Sequence, residues 1–179
     1  ALFDKVLSVV HPFYEADGIY ILPVYGVGFE KYISILKELK IFNVIKTDND
    51  LRTVKGKNEY SVLGFTRCNN CIGEDRLPTT PIIENSIDSK RRLYDVNINA
   101  LNEIRRDWHI YLSKVDLEND LDEFLHDRLV DLLEDDEPVK YLQEAKNYNM
   151  VELIKKLTDE DCKDIYNHYN FACLKEVAE

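Results

Sequence analysis

The chain is poor in the residues that interrupt regular structure, with 6 glycines and 5 prolines in 179 positions. That scarcity excludes collagen-like and low-complexity architectures. A hydrophobic share of 45% excludes the opposite extreme of disorder and supplies a packed core. No apolar run approaches the roughly 18 residues of a membrane-spanning helix, so no membrane partner is expected. Histidine is sparse, and His11, His109, His126 and His168 have no spacing that marks a metal pair or a catalytic dyad. Cysteine is sparse too. Cys68-Asn-Asn-Cys71 has the form of half a zinc site, but Cys162 and Cys173 do not supply the other half. Buried, reduced thiols are expected, and with them a cytoplasmic setting. Gly26-Val-Gly28 is too short for a phosphate-cradling loop, so no nucleotide site is visible. There is no initiator Met, and Ala-Leu-Phe-Asp-Lys-Val-Leu reads as the inside of a helix, as in a piece of a longer protein.

Positive charge is the other deficit: 23 Lys and Arg face 34 Asp and Glu, a net charge of −11. Phosphate binding needs cations, so the total speaks against a nucleic-acid partner. The distribution does not. Residues 116–137 hold eleven carboxylates against Arg128 alone, and the rest of the chain is close to neutral. A DNA substrate survives, although this chain alone should grip it weakly.

What is present is periodic. Leu2, Phe3, Val6, Leu7 and Val10 repeat at helical spacing, and Pro12 and Asp17-Gly18 close that segment. Ile19–Val24 is a short run of strand formers followed by a glycine turn. Phe29–Lys40 is an amphipathic helix and Phe42–Thr47 a second strand. Strand, helix and strand at this spacing predict a βαβ unit with parallel pairing. Residues 52–95 read as an irregular insertion with a short helix near 59–72. A helix over 95–107 then leads to a third strand, His109–Ser113. Beyond Leu117 the pattern is helical, over 117–134, 137–146, 149–157 and 159–178. The expected fold class is α/β, with a core over 1–116 and a helical C-terminal subdomain over 117–179.

Thr47-Asp48-Asn49-Asp50 closes the second strand, and ligands of open α/β sheets collect at the carboxyl ends of parallel strands. Two carboxylates about 4 Å apart repel by roughly 4 kcal/mol at an effective dielectric near 20. A hard divalent cation removes that penalty, and oxygen donors suit Mg²⁺ or Mn²⁺. Taken alone, Asp-x-Asp is more often a plain turn. Asp116 and Glu118 follow the third strand in the same way, with helix N-capping as the plain alternative for Asp116. Asp122 onward reads as a solvated helix face. Lys46, Arg52, Lys55 and Lys57 flank the first pair and could steer phosphate toward it. Lys90-Arg91-Arg92 and Arg105-Arg106 are further basic clusters, each ordinary surface when taken singly.

Together these pieces resemble a known arrangement. Val24–Gly28, the amphipathic helix and Val44–Asp50 are similar to the Toprim core of the OLD (overcoming lysogenization defect) family of nucleases. The similarity continues through Leu63–Cys68, Ile110–Ser113, Asp116–Leu121, Pro138–Gln143, Asn149–Leu153 and Phe171–Glu176, and is greatest toward the nuclease subunits of Gabija anti-phage systems. The resemblance implies a Toprim-type parallel sheet flanked by helices, and a metal-dependent endonuclease acting on double-stranded DNA. It implies Asp48, Asp50, Asp116 and Glu118 as ligands of a two-metal Mg²⁺ or Mn²⁺ site. It also implies Lys146 as the lysine that stabilises charge at the scissile phosphate, with Asp48 and Asp116 beside it in the catalytic set. An ATPase domain and a Glu-Gly strand end are expected upstream of Ala1, with homo-oligomerisation and a helicase-like partner subunit. The rivals are another Toprim chemistry, for which no tyrosine is marked as a nucleophile, and a non-catalytic acidic interaction module.

Overall fold

The computed structural model describes residues 1–24 and 29–178, so most of the Val24–Gly28 turn lies outside the described residues. Contacts divide the chain into two compact units, 23–116 and 1–22 with 117–179.

The first unit carries α2 (Phe29–Glu38), β1 (Ile45–Thr47), β2 (Leu51–Thr53), β3 (Tyr60–Val62), α3 (Leu63–Ile72), α4 (Ile87–Val96), α5 (Ile98–Trp108) and β4 (Ile110–Leu112). β1 pairs in parallel with β4, Ile45 opposite Ile110 and Thr47 opposite Leu112. All three residues of β4 are buried, which is why that strand reads as an uninterrupted apolar run. Val62, Phe65, Cys68, Leu101, Ile104 and Leu112 form the core between strands and helices. α4 starts where Ser86 accepts a hydrogen bond from the Ser89 amide, and α5 stops where His109 enters the left-handed region at φ 57°.

Two local expectations change. Ile19–Val24 forms no strand, and the parallel partner of β1 among the described residues is β4, reached across α3, α4 and α5. Strand propensity requires a neighbour to pair with, whereas Tyr20 and Leu22 lie exposed at 80% and 58%. The stretch read as irregular from residue 52 opens instead with an antiparallel hairpin of β2 on β3, and α3 begins only at Leu63. Gly56 turns that hairpin at φ +77°, a conformation that glycine adopts without strain. Its strands are only three residues long, too short for the alternation that betrays a half-buried strand to show.

The second unit joins α1 (Leu2–Val10) to α6 (Leu117–Leu133), α7 (Pro138–Glu144), α8 (Lys146–Lys156), α9 (Asp159–Asn167) and α10 (Ala172–Ala178). The sequence-based division put α1 with the strands. In the structure α1 packs on α9, and Val6, Leu7, Cys162 and Ile165 are all fully buried. Phe3 meets Phe171 edge to face at 6.2 Å. α6 bends at Leu125, where the backbone leaves helical angles.

Asp161 ties α9 to α6. Its carboxylate accepts bonds from Arg128 Nε at 2.9 Å and Nη2 at 3.1 Å, and from the Thr158 amide at 2.8 Å. Burial pushes this carboxyl up, but the bonds from Arg128 and Thr158 outweigh it and hold it below the ordinary value. A depressed folded pKa stabilises the fold above the unfolded value near 4, and the gain is lost as pH falls through the folded value. Asp161→Asn should therefore lower stability by about 2 kcal/mol at pH 7. Urea titrations at falling pH should show wild type and variant converging below about pH 4; a constant gap would refute the assignment.

Candidate active site

β1 runs directly into Asp48-Asn49-Asp50, and hydrogen bonding to the β4 segment continues past both strands. The Ser113 amide donates to Thr47 O at 2.9 Å and the Asn49 amide donates to Val115 O at 3.0 Å. Asp48, Asp50 and the 114–116 segment therefore leave the sheet at one carboxyl edge, where sheets of this class place ligands.

This turn is held from three sides. Asn49 is fully buried, and its Nδ2 donates to Lys90 O at 3.0 Å and to Lys114 O at 3.1 Å. One side-chain amide thus fastens the turn to α4 and to the segment after β4. From the third side, the Gly64 amide at the start of α3 donates to Asp50 O at 3.0 Å. A Cβ on Gly64 would stand 2.8 Å from Asp48 O and 2.9 Å from Asn49 Cα, so only glycine lets the helix come this close. The plain-turn alternative predicts none of these anchors.

Asp48, Asp50 and Asp116 are partly buried. Asp50 Oδ2 lies 2.6 Å from Arg67 Nη2, and the same guanidinium also donates to Thr47 Oγ1. In the helical unit, Glu118 sits in the first turn of α6 with its side chain fully buried, and Lys146 Nζ reaches it at 3.2 Å. The structure thus brings together the two residues that resemblance selected on separate helices. Lys146 is the first residue of α8, where a cation opposes the helix dipole by about 0.3–1 kcal/mol. Helix propensity therefore does not account for a lysine there.

Among the described residues no three His, Cys, Asp or Glu side chains are gathered as a metal cluster. Asp50 is drawn instead to Arg67 and Glu118 to Lys146. The donors still fit a hard cation. They are carboxylate oxygens throughout, the type that Mg²⁺ and Mn²⁺ select. The Gly64 cradle holds the backbone that carries two of them.

Of the basic residues, Arg52 lies on β2 and Lys55 and Lys57 in the hairpin turn, all exposed, with Lys57 3.8 Å from Glu59. Lys46 stands apart from them, half-buried in β1 opposite Tyr111. Arg91 and Arg92 are exposed on α4, the helix that Asn49 anchors. None of the four cysteines is in a disulfide and all are buried, and burial pushes the Cys68 thiol up to about 12, with Cys71 adding to it. Cys68 is thus protonated at neutral pH and packs in the core.

Sequence reasoning passed over Asn49, Gly64 and Arg67. Their signal was faint: an amide between two carboxylates, and a glycine one helical turn before an arginine.

Residues 1–50 match the model of the overcoming lysogenization defect protein-like Toprim domain, a match that ends on Asp50. This match supports an OLD-family Toprim fragment. It is also 40% identical over 188 aligned residues to Endonuclease GajA of Bacillus cereus (strain VD045). That alignment covers 98% of this chain and 32% of the relative, so the chain spans about a third of the length of the curated protein it matches.

Proposed function

We propose that this chain carries the nuclease centre of a metal-dependent endonuclease that hydrolyses phosphodiester bonds of double-stranded DNA in anti-phage defence. The observation that carries it is the shared carboxyl edge, where the anchored Asp48–Asp50 turn and Asp116 leave β1 and β4 together. Similarity to a protein named as an endonuclease supports the reaction class.

Asp48, Asp50, Asp116 and Glu118 would hold Mg²⁺ or Mn²⁺. The chemistry such cations supply when bound is activation of water and neutralisation of charge at the phosphate. The chain's own groups do the rest. Asn49 and Gly64 keep the carboxylate turn in place before substrate arrives, so little reorganisation remains for the reaction itself. Lys146, half exposed, can turn from Glu118 to donate to a non-bridging phosphate oxygen. Arg52, Lys55 and Lys57 on the hairpin, with Lys46 on β1 and Arg91 and Arg92 on α4, supply the phosphate contacts that net charge alone would deny. In the whole protein we place an ATPase domain upstream, homo-oligomerisation, a helicase-like partner subunit and a cytoplasmic location, all on family resemblance.

The test is cleavage of supercoiled plasmid in Mn²⁺ by this chain joined to its natural upstream sequence, beside Asp48→Ala. Groups that only hydrogen-bond to metal ligands are worth about 10–100-fold, so loss of a ligand should slow cleavage more than about 100-fold. Absent cleavage, with Mn²⁺ binding indifferent to Asp48→Ala, would refute the nuclease and leave an acidic interaction module.

A further inference from the structure

Arg67 is a buried cation beside a candidate metal site. Its side chain is 10% exposed, with Nη2 on Asp50 Oδ2 at 2.6 Å and another terminal nitrogen on Thr47 Oγ1. The guanidinium carbon stands 5.9 Å from the centre of the Phe29 ring. Nε is buried and has no hydrogen-bond acceptor among the described residues. A partly buried ion pair with an unmet donor is a poor source of stability, because desolvation of the arginine offsets much of its attraction. A positive charge is also a poor neighbour for a dication.

Geometry accounts for it better. A guanidinium is a rigid planar fork, and two points of contact fix direction as well as distance. One point is Thr47, the last residue of β1, and the other is Asp50, three residues on. Asp50 remains 44% exposed, and none of the described residues bonds its Oδ1. Arg67 follows Gly64 by three residues on α3, so both lie on the same helix face. One permits the helix to approach the turn, and the other grips the carboxylate that the turn presents.

We propose that Arg67 is a positioning residue that holds the Asp50 carboxylate by Oδ2 so that Oδ1 is offered to the cation. The assignment rests on Asp50 being a ligand, as proposed above. Charge and positioning predict opposite signs. If Arg67 acted only through its charge, Arg67→Met would remove a repulsion and tighten Mn²⁺ binding. As a positioning residue, Arg67→Met weakens it.

The experiment is a Mn²⁺ titration followed by electron paramagnetic resonance on the full natural protein, with no DNA present. Arg67→Met should raise the half-saturating Mn²⁺ concentration about tenfold, within the range exerted by groups that hydrogen-bond to metal ligands. Arg67→Lys, which restores one donor without the fork, should recover part of that loss. Tighter or unchanged binding in Arg67→Met overturns the positioning role, provided that Asp50→Ala weakens binding. If Asp48→Ala and Asp50→Ala both leave binding unchanged, the metal site itself fails, and Arg67 with it. Metal-free thermal melting monitors the fold. Should Arg67→Met not fold, Thr47→Val removes one anchor and keeps the charge; a rise of about threefold is expected, and no rise overturns the proposal.

Discussion

Gly64→Ala should destabilise the protein by about 2 kcal/mol, within the range of overpacking substitutions, and should abolish detectable DNA cleavage. The added methyl would meet Asp48 O at 2.8 Å, Asn49 Cα at 2.9 Å and Asp50 N at 3.1 Å. All three are backbone atoms, so no flexible side chain can swing away. Either α3 retreats or the Asp48–Asp50 turn does. The helix is anchored by Phe65 and Cys68 in the core, whereas the turn is held chiefly by hydrogen bonds, so the turn should move. The Gly64 amide bond to Asp50 O and the bonds made by Asn49 would lengthen together. The fall in melting temperature should be about 6 °C for a chain of this size. A folded Gly64→Ala protein that cleaves plasmid at the wild-type rate would show that the turn is not the site.

Lys146→Ala should slow cleavage by about 10²–10³-fold, as removal of a preorganised charge donor does elsewhere. Its effect on stability should be small, about 1 kcal/mol or less, because solvent reaches the lysine and screens the pair. Two features separate this from an ordinary salt bridge. Glu118 is wholly buried while Lys146 is 53% exposed, so the lysine sits at the accessible end of the pair. Lys146 also opens α8 with no acidic residue in the first turn of that helix, where the dipole disfavours a cation. Its removal therefore relieves one unfavourable contact as it deletes a favourable one. Urea unfolding and plasmid cleavage on the same preparation would check both halves. A large stability loss with a matching activity loss would make Lys146 structural.

The parts of this fold that could be read from sequence were those with a strong local rhythm. α1, α2 and α6 follow apolar residues at helical spacing, and β4 follows an apolar run. The place of Asp48, Asp50 and Asp116 just beyond β1 and β4 was legible because both strands carry a local apolar run, whereas a ligand role for them and for Glu118 came only from resemblance. The hairpin β2–β3 was not legible, since strands of three residues are too short to show alternation. Nor was the failure of Ile19–Val24 to form a strand, because pairing depends on a partner elsewhere in the chain. Grouping α1 with α9 requires contacts across some 150 positions, and periodicity carries no such information. Arg67 and Gly64 were hidden for a related reason: each matters through its distance to a turn formed elsewhere, and a residue's identity does not encode a distance.

Asn49 donates to a carbonyl 65 positions further along the chain. Closing so long a loop forfeits entropy before any contact repays it, which makes such pairings late events in folding. During synthesis the turn emerges well before β4 and the Lys114 carbonyl exist. A nascent chain therefore displays the acidic motif long before the edge that organises it, and the candidate centre becomes competent only after most of the unit has been made.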